Sequence, residues 1–179
     1  MTTGNVFSPV ASGLPNYSDA TTLNYDVFAN QGLLNSTSGV VYTVNSNATV
    51  TSIPSAGAPT VINTGGLATL RASVRYTVSA AGRATYTGSK QVYVSIHASL
   101  DYTKQGGGTD SYAFYIYKNG VILAGSGTEI VSGGATADGV IGLVYGTLMN
   151  QNDYIEIYVE NTVSADDMLV KDFQIVIRE

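Results

Sequence analysis

His97 is the only histidine of the chain, and in VYVSIHASLDY it stands among Ser95, Ser99 and Asp101 at alternate positions. Serine, imidazole and carboxylate are the groups of a nucleophilic relay, but a relay needs the base between the other two. Alternate positions of one strand stand side by side and do not converge, so the expectation is a polar strand face. Glu156 and Glu160 share one face of NDYIEIYVEN. A glycosidase needs two acids facing each other about 5–9.5 Å apart across a sugar, and the same pattern is that of a solvated face. Asp110, Asp138 and Asp166-Asp167 lie in loop-like text where a calcium ion could gather oxygens, yet none has EF-hand spacing. Gly106-Gly107-Gly108 lacks the following Lys-Ser/Thr and helix of a phosphate cradle. Cysteine is absent, which excludes a disulfide framework, a thiolate metal site and a cysteine nucleophile. No catalytic, metal-binding or cofactor-binding residue is expected, and the chain reads as a non-enzyme.

Tyrosine is the one residue type in excess that suits recognition: 13 Tyr against 4 Phe and no Trp. A large rigid ring with a polar tip fits half-wet contact surfaces. Tyr93, Tyr115, Tyr117 and Tyr158 are expected as a set to line an oligomer interface.

The elements that must carry these residues are strands. YAFYIYKNGVIL alternates Phe114 and Ile116 with Tyr115 and Tyr117 and then meets Asn119-Gly120, the strongest short signal of a tight hairpin. In NDYIEIYVEN, Ile155, Ile157 and Val159 alternate with Tyr154, Glu156, Tyr158 and Glu160. Val92, Val94, Ile96, Ala98 and Leu100 form one face of a strand over residues 90–102, and Phe173, Ile175 and Ile177 one face of a terminal strand expected to be central. Residues 39–45, 48–53, 60–63 and 67–80 are read as further strands, the last with Leu70, Ala72, Val74 and Tyr76 on its buried face. Residues 82–90 are read as a turn-rich linker and 104–111 (KQGGGTDS) as a flexible exposed loop. ADGVIGLVYGTLM is read as a buried strand whose Gly142 and Gly146 mark bulges or a close approach of another backbone.

Residues 1–38 are polar and turn-rich, with apolar islands at Val6, Phe7, Leu23, Tyr25, Val27 and Phe28. They are expected to form an irregular amino-terminal arm, partly disordered or anchored against another surface, with the folded domain over 39–179. Charged residues make up 12% of the chain and the net charge is −5, which opposes nucleic-acid binding because phosphate neutralisation needs clustered Lys and Arg. There is no basic n-region, no apolar h-region and no run near the roughly 20 apolar residues of a membrane span. A soluble protein without a Sec signal and without membrane insertion is expected.

The strand spacing and the absence of helical periodicity give an all-β, antiparallel jelly-roll sandwich of about 8–10 strands. From VYVSIHASL through YAFYIYKNGVIL, GVIGLVYGTL and NDYIEIYVEN to LVKDFQIVIRE, the order resembles the complement globular-head and tumour necrosis factor-like jelly roll, which that family builds as a trimer. With no collagen-like stalk, secretion signal or cysteine, the chain also resembles the small jelly rolls of phage and large-virus head-fibre, decoration and minor capsid proteins. The resemblance implies a homotrimeric virion structural protein, made in the host cytoplasm and anchored to capsid or fibre-base proteins by its arm. A tip that binds a host receptor or surface glycan, and a small carbohydrate-binding module or carbohydrate-active enzyme, are the alternatives.

Overall fold

The computed structural model describes residues 38–134 and 136–179. The anchoring arm expected at Val6, Phe7, Leu23, Tyr25, Val27 and Phe28 lies outside the described residues. Along the described chain run the strands β1 (Gly39–Val44), β2 (Thr60–Val61), β3 (Thr69–Val74), β4 (Tyr76–Val78), β5 (Ala84–Tyr86), β6 (Val92–Gln105), β7 (Thr109–Lys118), β8 (Val121–Ile122), β9 (Thr128–Gly133), β10 (Asp138–Met149), β11 (Tyr154–Asn161) and β12 (Asp167–Arg178).

They make two antiparallel sheets. One has the order β10-β6-β12-β1-β3; the other has the order β4-β5-β11-β7-β8, with β2 also on β11 and β9 also on β7. From β5 onward the chain crosses repeatedly between sheets: β6 joins the first, β7 to β9 the second, β10 the first, β11 the second and β12 the first. Each late strand fills a gap between earlier ones, β11 between β5 and β7 and β12 between β1 and β6. This is the double Greek-key winding of a jelly roll.

The core lies between the sheets, and period-2 alternation puts it there. From β6 come Val94, Ile96 and Leu100, from β12 Val170, Ile175 and Ile177, from β7 Phe114 and Ile116, and from β11 Ile155 and Val159, all buried. The terminal strand is central, as its regular pattern requires: Ile175 sits in register with Tyr42 of β1 on one side and Ala98 of β6 on the other.

Several sequence expectations fail for one reason, which is that pairing partners are remote in sequence. Residues 48–53 form no strand; only an isolated bridge from Thr51 to Met168 is made. The expected strand 67–80 is broken at Arg75, which takes φ +61° and carries the chain from β3 in the first sheet to β4 in the second. Leu70, expected in the core, is consequently 45% exposed on an edge strand. The expected linker 82–90 contains β5, whose Ala84 and Tyr86 are fully buried. β10 pairs with β6 without interruption from Asp138 to Met149, so neither Gly142 nor Gly146 marks a bulge. At Gly146 the close neighbour is a side chain: a Cβ there would collide with the Tyr93 ring. The expected exposed loop 104–111 is mostly strand, with Lys104 and Asp110 buried and only its tip in water.

The two turns singled out in the sequence are stitched together. Asn119 and Gly120 both take positive φ, as a tight two-residue hairpin requires. The Asn119 side-chain amide donates to Asp153 Oδ1 at 2.7 Å, the Tyr154 N–H donates to Asn119 Oδ1 at 2.9 Å, and the Asn150 N–H donates to Asp153 Oδ2 at 2.8 Å. Burial works to raise the Asp153 carboxyl, but the Asn150 N–H, the Asn119 amide and the Lys118 ammonium outweigh it and hold it below its ordinary 3.8. Unfolding returns the group to that ordinary value, so its contribution to stability is full above 3.8 and is lost as pH falls through the depressed folded value. Acid unfolding of Asp153→Asn is expected to be shallower below that pH than that of the wild type. Superimposable acid profiles would show that Asp153 contributes nothing of the kind.

Candidate functional site

The outer faces of the two sheets differ in chemistry. On the seven-stranded sheet, β11 and β7 present Tyr154, Glu156, Tyr158, Glu160, Tyr115 and Tyr117, set by the register Tyr158 to Tyr115 and Glu156 to Tyr117. These groups satisfy one another. Tyr117 and Tyr158 stack with centroids 3.9 Å apart and planes at 17°. Tyr115 Oη donates to Glu160 Oε1 at 2.7 Å, and Arg83 Nε donates to Glu156 Oε1 at 2.9 Å while its guanidinium lies 4.1 Å over the Tyr154 ring. Burial, followed by the hydrogen bond to Glu160, pushes the Tyr115 phenol up to about 12.

Glu156 is therefore not on a solvated face: it is 6% exposed and held by Arg83. Four residues along one strand place the Cα atoms of Glu156 and Glu160 about 13 Å apart, and each carboxylate is bound to a different partner, so they do not form a facing acid pair.

The five-stranded sheet presents another kind of surface. Directly opposed residues share a face, and one row across the sheet reads Val144 of β10, His97 of β6, Val176 of β12, Val41 of β1 and Ala72 of β3. Along that face Gly146 opposes Ser95 and then Leu148 opposes Tyr93, and in the other direction Val140 lies opposite Asp101. Exposure reaches 63% at Tyr93, 73% at Val140 and 65% at Val144. The side chains of these apolar residues have no covering layer among the described residues.

The structure thus divides the four tyrosines expected at an oligomer interface. Tyr115, Tyr117 and Tyr158 come together on one outer face, and Tyr93 lies on the other, over Gly146. Sequence reasoning passed over Val140, Val144 and Leu148, which it read as parts of a buried strand. The available signal was their alternation with Ile141, Leu143 and Met149: a strand apolar on both faces calls for cover on both.

His97 sits in the apolar row between Val144 and Val176, with Ser95 Oγ 2.8 Å from its Nε2. Asp101 is four residues along the same strand, about 13 Å away at Cα, and no relay forms. The aspartates considered for calcium are separately engaged. Asp138 binds Lys171 at 3.0 Å and also meets Thr103; Asp167 Oδ1 accepts the Ile53 N–H at 2.8 Å; Asp110 pairs with Lys104. Among the described residues no group of three or more His, Asp or Glu side chains is placed to hold a metal ion. No helix among them is long and apolar enough to cross a membrane.

The two sheets, ordered β10-β6-β12-β1-β3 and β4-β5-β11-β7-β8, decide the fold class. The fold is an all-β jelly-roll sandwich. No family model matches the chain, and no curated protein matches it by sequence. Solved structures similar to it include the Eiger TNF from S. frugiperda, 10% identical over 79% of this chain and 93% of that one, with a TM-score of 0.47. Murine APRIL at pH 5.0 is 10% identical over 79% and 99% of the two chains, with a TM-score of 0.48. The PRD1 vertex protein P5 is 18% identical over 80% and 97%, with a TM-score of 0.45.

Proposed function

We propose that the protein is a non-enzymatic structural component of a virus particle, a homotrimer that decorates the capsid or forms part of a head fibre or minor capsid assembly. The observation that carries self-assembly is the apolar outer face of the five-stranded sheet, with the row Val144, His97, Val176 and Val41 at its centre and Tyr93, Leu148 and Val140 beside it. Exposed apolar patches of this kind mark contact surfaces, and a second copy of the same chain is the occupant that a closed homo-oligomer supplies. Tyr93 belongs to this interface. Tyr115, Tyr117 and Tyr158 lie outside it, because the Tyr117 and Tyr158 rings stack on each other and the Tyr115 hydroxyl is bound to Glu160.

Residues 1–38 anchor the assembly to capsid or fibre-base proteins. Three arms held on one trimer bind with an avidity that exceeds one arm's affinity by orders of magnitude. Removing residues 1–38 is expected to leave an assembled domain that no longer joins particles; truncated protein that still enters particles overturns the anchoring role. A glycan-binding tip built on residues 104–111 is less well supported, since Lys104 and Asp110 point inward. A carbohydrate-active enzyme using Glu156 is opposed by the Arg83 pair that occupies that carboxylate.

A further inference from the structure

Where β6 runs into β7, the chain buries an amine against a carboxyl. Lys104 has no exposed side-chain surface and Asp110 is 4% exposed. The three glycines between them wrap the ammonium: Lys104 Nζ donates to the Gly107 carbonyl at 2.9 Å and the Gly108 carbonyl at 2.7 Å. Its third neighbour is Asp110 Oδ2, with which it is in direct contact. That oxygen nevertheless accepts no hydrogen bond of normal geometry and is one of the few buried side-chain oxygens among the described residues left in that condition. The nitrogen is held directly against the carboxyl group.

A second carboxylate completes the cluster. Asp166 Oδ2 lies 3.8 Å from Lys104 Nζ, packed on Gly106, where a Cβ would collide with it. The turn carrying Asp166 is fixed by Asn161, whose Oδ1 accepts the Val163 and Ser164 N–H groups at 2.9 Å and whose Nδ2 donates to the Asp166 carbonyl at 3.3 Å. Tyr112 Oη donates to the carbonyls of Asp166 and Asp167 and closes the site from the core side.

We propose that Lys104 and Asp110 condense to an intramolecular amide. The buried ion pair transfers one proton from ammonium to carboxylate, leaving a neutral amine and a carboxylic acid. The amine lone pair forms a bond to Asp110 Cγ, one Cγ–O bond breaks, and the departing hydroxyl leaves as water with a proton from the nitrogen. Asp166 carries that proton between nitrogen and oxygen. One ammonium and one carboxylate become one amide and one water, with no oxidant, reductant or further reactant. Two effects drive it. Reactants locked in contact reach effective molarities of about 10⁵–10⁸ M in well-oriented systems, which offsets the cost of condensation in water. The amide also removes two charges from a site where burying them is costly.

Mass spectrometry on the full chain tests this directly. The protein is expected to weigh one water less than its sequence. Trypsin is expected to yield a single peptide over residues 91–118, uncut at position 104 and lighter by that water. Lys104→Arg, which keeps the charge and removes the primary amine, is expected to restore both the full mass and cleavage at position 104. Asp166→Asn is expected to leave a mixture of bonded and full-mass chains. Wild-type protein of full mass that is cut at position 104 overturns the proposal and leaves an ion pair only. Loss of ammonia in place of water would move the acceptor to Asn161 and overturn the assignment of Asp110. A missing water that persists in Lys104→Arg would place the dehydration elsewhere and overturn it as well.

Discussion

Val144→Glu is expected to dissociate the assembly while leaving the domain folded. Val144 is 65% exposed in the single chain and stands beside His97 at the β10 end of the apolar row, so the substitution changes nothing inside the sandwich. In the assembly it would bury an unpaired carboxylate among Val176, Val41 and their counterparts on a second copy. Burying a carboxylate without a partner costs about 2 kcal/mol or more, so the dissociation constant is expected to rise by at least about 30-fold. Tyr115→Ser with Tyr117→Ser is the matching control: it breaks the Tyr117–Tyr158 stack and the Tyr115–Glu160 hydrogen bond on the other outer face and should leave the assembled mass unchanged. Sedimentation over a concentration series reads both variants. Assembly that survives Val144→Glu but fails in the tyrosine double variant would move the interface to the seven-stranded sheet.

Lys104→Met is expected to destabilise the domain by about 3–5 kcal/mol, the usual cost of a buried carboxylate left without the group that neutralises it. Asp110 would then be a buried carboxylate facing the Gly107 and Gly108 carbonyls without its cation. Before condensation, burial by itself raises this carboxyl, while Lys104, Ser164 and Asn161 and the ammonium's charge hold it below its ordinary value. Without Lys104 the balance turns toward the protonated acid. The double variant Lys104→Met with Asp110→Leu removes both charges and is expected to recover a large part of the loss, as apolar replacement of buried pairs commonly does. Urea unfolding of the three proteins measures this. A single variant within about 0.5 kcal/mol of wild type, the range of surface substitutions, would show that the cluster does not hold the β6–β7 corner.

Where a residue's role follows from its neighbours in sequence, the role could be read in advance. The Asn119-Gly120 hairpin, the inward faces of β6, β7 and β11, and the central place of β12 all follow from period-2 alternation and turn chemistry. What could not be read is sheet membership. Nothing near Arg75 announces that the strand pattern of 67–80 divides between two sheets, because the first half is claimed by β1, with Val41 remote in sequence, while the second pairs locally with Tyr86 of β5. Lys104 looked like part of a flexible loop because lysine next to three glycines is ordinarily in water; its burial depends on Asp110 and on the Asp166 turn, 62 residues further on. The tyrosine set misled for the same reason. Alternation assigns Tyr93 and Tyr117 each to an outer face, but it does not say that the two faces lie on opposite sides of the sandwich.

The central claim is that the exposed face of the five-stranded sheet joins copies of this chain, and light scattering on the full-length protein tests it most directly. With a chain mass of 18.7 kDa, the account predicts the mass of a trimer for the wild type and of a single chain for Val144→Glu at the same concentration. A wild-type mass of one chain throughout the concentration range would contradict it.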